Sequence, residues 1–232
     1  MQAFFRYLRR AALVFVLLVL VVQLWFFCCV VWWKFVNPNT TRFMEIRLSQ
    51  MREKNPKAQL QHAWVPYEKI SSQMKRAAVA AEDTRFTQHF GVDWEAIEKA
   101  RERNDKRGRV THGGSTITQQ LAKNLFLNSQ RSYIRKGQEL IITWMIEAVM
   151  SKRRILEIYL NVVEIGNGVY GVESGSRYYF GVSASQLDTG QAARLAAMLP
   201  APRYFDRNRG SESLDRRAEV VLVRMNQVAI PK

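Results

Sequence analysis

Two adjacent carboxylates, Glu82 and Asp83, follow an apolar run of helix-forming residues and are the first candidates for chemistry. The run Ala77–Ala81 is made of alanines around one valine, so it predicts a buried helix that ends at these two acids. A carboxylate at the end of a buried helix is partly desolvated, which raises its pKa and suits it to act as a general base or acid. The alternative is an ordinary helix-end acid that pairs with Arg85.

A second stretch, GGSTITQQLAKN from Gly113 to Asn124, is the most unusual in the chain. Its two glycines let the backbone approach a ligand closely. The hydroxyl residues predict a helix N-terminus here, where free N–H groups favour an anion. Hydroxyls, amides and one lysine are what a sugar phosphate requires, and the alternative is a well-capped surface helix. The polar candidates are Ser115, Thr116, Gln119, Gln120, Lys123 and Asn124.

A third stretch places basic residues beside another glutamate. Arg131, Arg135 and Lys136 precede Glu139, and Arg135 and Glu139 lie one turn apart on the same helix face. Taken alone, the spacing indicates an i,i+4 ion pair worth a few tenths of a kcal/mol. The residues after Glu139 turn apolar, so the charged cluster lies at one end of a core helix.

Capping residues mark the helices that must position these groups. Ser71 or Ser72 begins the helix that leads to Glu82, and Asp93 caps a short helix over Trp94–Arg103. The charged segment Asn104–Arg109 predicts a solvated loop. No long alternating pattern indicates a strand, so we expect a mainly α fold.

Residues Ala11–Val31 form a run of 21 residues with no charge and one polar side chain, Gln23. Such a run spans a bilayer core of roughly 30 Å as a helix. No small-residue cleavage site follows it, so we predict a retained membrane helix rather than a signal peptide. Arg6, Arg9 and Arg10 on one side predict a cytoplasmic N-terminus. Tryptophans at the other end, Trp25, Trp32 and Trp33, predict an interfacial belt.

Composition bounds the remaining possibilities. The chain has 232 residues, enough for one domain plus an anchor, and a formal charge of +15. Only three of its 35 basic residues precede the apolar run, so the outer domain is itself basic. For a domain tethered outside a membrane this charge indicates lipid headgroups or a lipid-linked phosphate rather than nucleic acid. The two cysteines, Cys28 and Cys29, are adjacent within the apolar run and form neither a disulfide framework nor a zinc site.

Four blocks in this order, EDTRFTQHFG, GGSTITQQLAKN, RKGQE and KRRILEIYLN, resemble the signature blocks of the bacterial peptidoglycan glycosyltransferases. This family is shared by monofunctional enzymes and bifunctional penicillin-binding proteins. The later stretches GVYGVESGSRYYFG and QAARLAAMLPAPRYFD also fit, so the resemblance covers roughly residues 64 to 206. Because the chain ends at Lys232, it is similar to the monofunctional enzymes.

The resemblance implies a glycan-strand polymerase. Members transfer a lipid-diphosphate-linked chain onto the 4-hydroxyl of lipid II, with inversion to a β-1,4 bond and release of undecaprenyl diphosphate. The resemblance implies that Glu82 is the general base and that Glu139 assists at the leaving group. It gives substrate contacts to Ser115, Thr116, Gln119, Gln120, Lys123, Asn124, Arg131, Arg135 and Lys136. It also gives Asp83, Phe86, His89 and Gly91 the role of shaping the loop that aims Glu82.

The implied architecture is a mainly α, lysozyme-like domain with a smaller membrane-facing jaw lobe and one membrane helix. The expected divisions are a cytoplasmic tail (1–10), the membrane helix (11–33), a linker and first helix (34–63) and the catalytic domain (64–232), with the jaw at about 103–134. The catalytic domain is expected in the periplasm, on the inner membrane. Other cell-wall synthesis or division proteins are candidate partners.

No cofactor is required by the sequence, and no metal-ligand motif such as H-E-x-x-H is present. A divalent cation, Mg²⁺ or Mn²⁺, at the diphosphate remains an alternative. Two other functions compete: a lysozyme-like lytic wall enzyme, and a non-catalytic membrane scaffold. The lysine and arginine cluster disfavours the first, because cleavage of a neutral glycosidic bond needs no diphosphate site. The presence of both glutamates with the whole second block disfavours the second.

Overall fold

Helices form nearly every regular element, which confirms the mainly α prediction. The computed structural model describes residues 2–108, 113–130 and 132–232. The helices are α1 (Gln2–Phe35), α2 (Arg42–Lys54), α3 (Ser72–Glu82), α4 (Trp94–Arg107), α5 (Ile117–Phe126), α6 (Tyr133–Val149), α7 (Lys152–Val162), α8 (Val172–Phe180), α9 (Thr189–Met198), α10 (Pro202–Arg207) and α11 (Glu212–Arg224). A single 3-10 turn, Tyr67–Lys69, precedes α3.

Three short strands form a small sheet beside the helices: β1 (Gln61–His62), β2 (Glu164–Gly166) and β3 (Val169–Tyr170). The order is β1-β3-β2, with β3 parallel to β1 and antiparallel to β2. The strands are two or three residues long, too short to carry a core of their own. The core therefore belongs to the helices.

Side-chain caps begin the helices that carry the candidate residues. Ser71 Oγ accepts the N–H of Met74 at the start of α3, and Asp93 accepts the N–H of Ala96 at the start of α4. Ser132 Oγ does the same for the N–H of Arg135 at the start of α6. These short polar side chains satisfy backbone donors that have no partner within the helix. The predictions of caps at Ser71 and Asp93 are confirmed.

Helix α4 is longer than predicted. The segment Asn104–Arg109 was expected to be a loop, but α4 continues to Arg107. Charged residues are tolerated on an exposed helix, and none of Asn104–Arg107 prevents helical hydrogen bonding. The helix ends at Gly108, whose φ of +62° is the left-handed conformation that commonly terminates helices. Arg109 lies outside the described residues.

Small side chains allow α3 and α9 to pack closely in the core. Ala77 and Ala78 of α3 and Ala192 and Ala196 of α9 are completely buried. Helix α11 covers the same pair of helices, with Val221 buried on its inner face. This packing holds the C-terminal end of α3, and therefore Glu82, against a rigid part of the molecule.

Helix α1 is one continuous helix whose segment Phe4–Phe35 is long and apolar enough to cross a membrane. The helix extends beyond the predicted membrane helix, residues 11–33, at both ends. It ends at Phe35, before Pro38, because the residue that precedes a proline avoids the helical conformation. Its last turns contact the domain: Gln23 and Gln138 exchange hydrogen bonds of 2.9 and 3.0 Å. Trp33, predicted in an interfacial belt, packs on Phe126 with ring centres 4.9 Å apart.

Candidate active site

Glu82 is the last residue of α3, and its carboxylate is held by a side chain of α5. Gln120 Nε2 donates to Glu82 Oε2 at 2.5 Å, and Gln120 Oε1 accepts the hydroxyl of Tyr159 at 3.2 Å. The other oxygen, Glu82 Oε1, is buried without a hydrogen-bond partner among the described residues. Burial raises the pKa of Glu82, and the Gln120 hydrogen bond and the Lys123 charge offset part of that rise.

Arg85 does not neutralise Glu82. Its guanidinium contacts Glu95 and lies 3.8 Å from Asp93, both at the start of α4. The interpretation of Glu82 as a helix-end acid paired with Arg85 is therefore wrong. The sequence distance between Glu82 and Arg85 favours a contact on a continuous helix, but α3 ends at Glu82 and the chain turns away.

Asp83 ties the end of α3 to the start of α5. Its Oδ2 accepts the N–H of Ile117 at 3.0 Å, and its Oδ1 lies 2.9 Å from His89 Nε2. Ile117 is the first residue of α5, so a carboxylate beside its N–H satisfies a free backbone donor and favours the helix dipole. The two stretches that the sequence separates are thereby joined beside Glu82.

Gly91 and Phe86 fix the loop that follows Glu82. Thr116 Oγ1 donates to the carbonyl of Gly91 at 2.6 Å. Gly91 has a φ of +78°, and a Cβ there would lie 2.6 Å from Thr143 Cγ2, so no larger residue fits without a shift. Phe86 is completely buried, with the Lys152 ammonium 4.6 Å from its ring centre. The loop therefore has a defined conformation next to the carboxylate.

Helix α5 carries the second stretch, and its predicted polar residues take different positions. Thr116 and Gln119 form a capping box, in which Gln119 Oε1 accepts the N–H of Thr116. Asn124 is buried, and Ser115 is exposed. A Cβ on Gly114 would lie within 3 Å of Ile97 in α4, so this glycine allows close contact with a neighbouring helix in addition to any ligand.

A cluster of cations surrounds Glu139 on α6. Arg135 Nη1 lies 2.6 Å from Glu139 Oε2, and Lys136 contacts Oε1. The Glu139 side chain is only 4% exposed, so its charge is balanced inside the protein. Burial lowers the pKa of Lys123 from α5, and the charges of Glu139, Arg135, Lys136 and Glu82 all act on it. The structure thus brings Lys123, Arg135 and Lys136 together, whereas Arg131 lies outside the described residues.

Two cavities adjoin these groups. The smaller, about 160 Å³, is lined by Glu82, Asp83, Gly113–Thr116 and Arg224. The larger, about 350 Å³, is lined by Gln120, Lys123 and Asn124 together with the loop around Pro200. Because Gln120 lines one cavity and binds the glutamate of the other, the two cavities meet at the Glu82–Gln120 pair.

Several residues of the site were not singled out from the sequence. Tyr159 orients Gln120, and burial raises its pKa, so its hydroxyl remains protonated and can donate. Glu147 accepts both the Thr118 hydroxyl at 2.6 Å and the Lys152 ammonium at 2.7 Å. Arg217 of α11 lies close enough to Glu82 to lower its pKa. Tyr159 lies within the fourth block, but nothing in the local sequence around Arg217 indicates a contact with Glu82.

One group of potential metal ligands is present in the described part of the chain. Donor atoms of Asp83, His89 and Asp93 lie within 4.8 Å of one another. Asp83 already accepts from Ile117 and contacts His89, and Asp93 accepts the N–H of Ala96. The carboxylates therefore serve as caps and loop contacts in this structure.

Comparison with known proteins agrees with the geometry. The family model described as Transglycosylase matches residues 48–226. A protein of Janthinobacterium sp. (strain Marseille), named biosynthetic peptidoglycan transglycosylase, is 58% identical over 216 residues, covering 93% of this chain and 94% of the relative. Its namesake from Thiobacillus denitrificans is 52% identical over 232 residues, covering all of both chains. A match over most of the domain and such identities along the whole chain show that this chain belongs to the transglycosylase family.

Proposed function

We propose that this transglycosylase polymerises peptidoglycan glycan strands, with lipid II as the acceptor and a lipid-diphosphate-linked chain as the donor. The observation that carries the proposal is Glu82, whose buried Oε1 has no partner among the described residues and which lies near a cluster of fixed cations. The relatives at 50–58% identity are named for the same activity.

Glu82 acts as the general base. The acceptor hydroxyl is a poor acid, so a positioned carboxylate that takes its proton accelerates attack by about 10²–10⁴-fold. The raised pKa of Glu82 brings it closer to neutral pH and makes it a stronger base than an ordinary carboxylate. Gln120, itself oriented by Tyr159, holds one oxygen, which leaves the other for the substrate proton.

The cation cluster receives the leaving group. As the acceptor oxygen bonds to C1 of the donor, the bond from C1 to the diphosphate oxygen breaks, and that oxygen takes the electron pair. Lys123, Arg135 and Lys136 stabilise the growing negative charge on that oxygen. Because the folded protein already holds these cations in place, no free energy is spent on moving them during the reaction. Attack opposite the leaving diphosphate inverts an α linkage to the β-1,4 bond.

Glu139 orients these cations. Its two oxygens are engaged by Arg135 and Lys136, one by each. We propose that these protein cations neutralise the diphosphate, and no step of this mechanism depends on a metal ion.

The membrane helix keeps the site at the lipid surface. Helix α1 is a single-pass anchor whose final turns pack on α5 and α6, which carry Lys123 and Glu139. Arg6, Arg9 and Arg10 support a cytoplasmic N-terminus, and we propose that the catalytic domain lies on the periplasmic side of the inner membrane. The undecaprenyl chains of both substrates can then remain in the bilayer while their sugars react.

The test is polymerisation of purified lipid II by the detergent-solubilised full chain, with wild type, Glu82→Gln and the exposed control Glu219→Gln compared. We expect glycan strands from wild type and the control, and a rate of polymerisation about 10²–10⁴-fold lower from Glu82→Gln. Release of fragments from isolated cell wall, without polymerisation by folded wild type, would establish a lytic enzyme instead. Polymer from Glu82→Gln at the wild-type rate would remove Glu82 from the mechanism, and absence of both activities would favour a scaffold.

A further inference from the structure

A further cavity, here called the α11 groove, lies between α3, α9 and α11. Its volume is about 500 Å³. Ala80, Ala196 and Ala197 lie buried at its base, within the packing of the helices, and the arginines of α11 form one wall. The residues that define it are Ala80, Ala81, Ala196, Ala197, Arg217 and Arg224.

The α11 groove is strongly positive. Three arginines and no carboxylate line it among the described residues. One of the three, Arg216, is paired with Glu212 at 2.6 Å. The other two, Arg217 and Arg224, make no ion pair within the described part of the chain, although Arg217 stacks on the Phe205 ring at 5.9 Å. Their guanidinium groups are exposed and remain able to bind an anion.

The groove is continuous with the Glu82 cavity. Arg224, Ala80 and Ala81 line both spaces. A molecule that reacts at Glu82 can therefore extend directly between α3 and α11. The groove is not the diphosphate site, because Lys123 and the cations around Glu139 are not among its lining residues.

The spacing of the two arginines matches an extended peptide. Arg217 and Arg224 are seven positions apart, or about 10 Å along a helix. An extended chain covers that distance in about three residues. Two partly exposed lining residues, Ala81 and Ser213, have short side chains, so a peptide backbone can lie close to them. Carboxylates on a peptide that lies along this path can pair with both arginines.

We propose that the α11 groove binds the acidic peptide of the acceptor substrate, with Arg217 and Arg224 pairing with its carboxylates. This inference rests on the proposed function and extends it to the part of the substrate that does not react. The groove then selects acceptors by the charge of the peptide and aligns the sugar hydroxyl with Glu82.

The test measures polymerisation kinetics with two substrates, lipid II with its native peptide and lipid II with the peptide carboxylates amidated. The variants are Arg224→Gln, Arg217→Lys and the control Arg177→Gln, an exposed arginine of α8. With native lipid II we expect Arg224→Gln to raise KM by about three- to tenfold at unchanged kcat, as for loss of a partly exposed charged hydrogen bond. Arg217→Lys keeps the charge near Glu82 but loses bidentate contact, so it should raise KM less and leave the pH profile unchanged.

The amidated substrate provides the decisive comparison. With wild type, we expect the amidated substrate to have a KM about as high as that of Arg224→Gln with native lipid II. Arg224→Gln should not raise the KM for the amidated substrate further, because amidation has already removed the contact with Arg224. Equal effects of Arg224→Gln on both substrates, or none on either, would overturn the proposal. If wild type polymerises neither substrate, the proposed function itself fails. If wild type polymerises both substrates with the same KM, the proposed function holds and only the assignment of the α11 groove fails.

Discussion

The two glutamates of the candidate site have opposite surroundings. Glu82 has one oxygen held by a neutral amide and another with no partner among the described residues. Glu139 has both oxygens engaged, by Arg135 and by Lys136. The charges of both glutamates raise the pKa of Lys123, and the Glu139 charge does so more strongly than the Glu82 charge.

The difference fits the separate tasks that the proposed mechanism gives to the two carboxylates. A buried carboxylate without a full set of donors is unfavourable when charged, so it gains by accepting a proton. A buried carboxylate between two cations is balanced and instead fixes the positions of those cations. The first environment suits a base, and the second suits a scaffold for the charges that meet the diphosphate.

Replacing each glutamate by glutamine should separate these tasks most clearly. Glu82→Gln removes the base and should lower kcat by about 10²–10⁴-fold. Glu139→Gln leaves the base intact and loosens the cations, so its effect should be smaller, about 10–10²-fold in kcat/KM. Single-turnover rates with lipid II measure both. Equal losses of 10⁴-fold would show that the two residues act as one unit.

Lys123 should be needed as a cation in particular. Lys123→Met preserves the length of the side chain and removes its charge, so we expect kcat/KM to fall by about 10²-fold through lost stabilisation of the leaving diphosphate. Lys54→Met, an exposed lysine of α2, is the matched control. Activity that survives in Lys123→Met but disappears in Lys123→Arg would indicate a role for shape rather than charge.

The pH profile should be narrower than ordinary glutamate and lysine residues would produce. The base must be deprotonated, so activity is lost as the pH falls through the pKa of Glu82, which burial raises above 4.5. Lys123 must be charged, so activity is lost as the pH rises through its pKa, which burial lowers below 10.5. Gln120→Ala removes a contact that lowers the Glu82 pKa and should move the acid limb to higher pH. An unchanged acid limb in Gln120→Ala would contradict this assignment.

Stability should change in opposite directions at the two sites, by smaller amounts. The folded-state pKa of Glu82 is raised, so its contribution falls as the pH rises above the ordinary glutamate value. Glu82→Gln should therefore raise Tm at pH 7 by about 2–4 °C, equivalent to ~1 kcal/mol, and should lose this gain at pH 4. Glu139→Gln leaves Arg135 without its buried partner and should lower Tm. Thermal unfolding of the solubilised chain at both pH values measures this, and a lower Tm in Glu82→Gln would contradict it.

Much of the local structure could be predicted from the sequence because it depends on neighbouring residues. Ser71 and Asp93 cap helices through donors three positions away, and the apolar run that begins at Ala11 forms a helix wherever it lies. The candidate residues were found by their order along the chain in four blocks. The length of α4 was mispredicted because a polar, highly charged segment such as NDKR before Gly108 does not distinguish a helix from a loop.

The sequence by itself determined the mainly helical class, an apolar segment long enough to cross a membrane, the family and the candidate catalytic residues. The tertiary structure alone decided their partners. Glu82 meets Gln120 and Tyr159 rather than Arg85, and Gln23 of the membrane helix meets Gln138. These pairs lie far apart along the chain, and only the packing of whole helices brings them together. Burial, pKa and charge balance depend on those contacts, so the distinction between the two glutamates appears only in the folded protein.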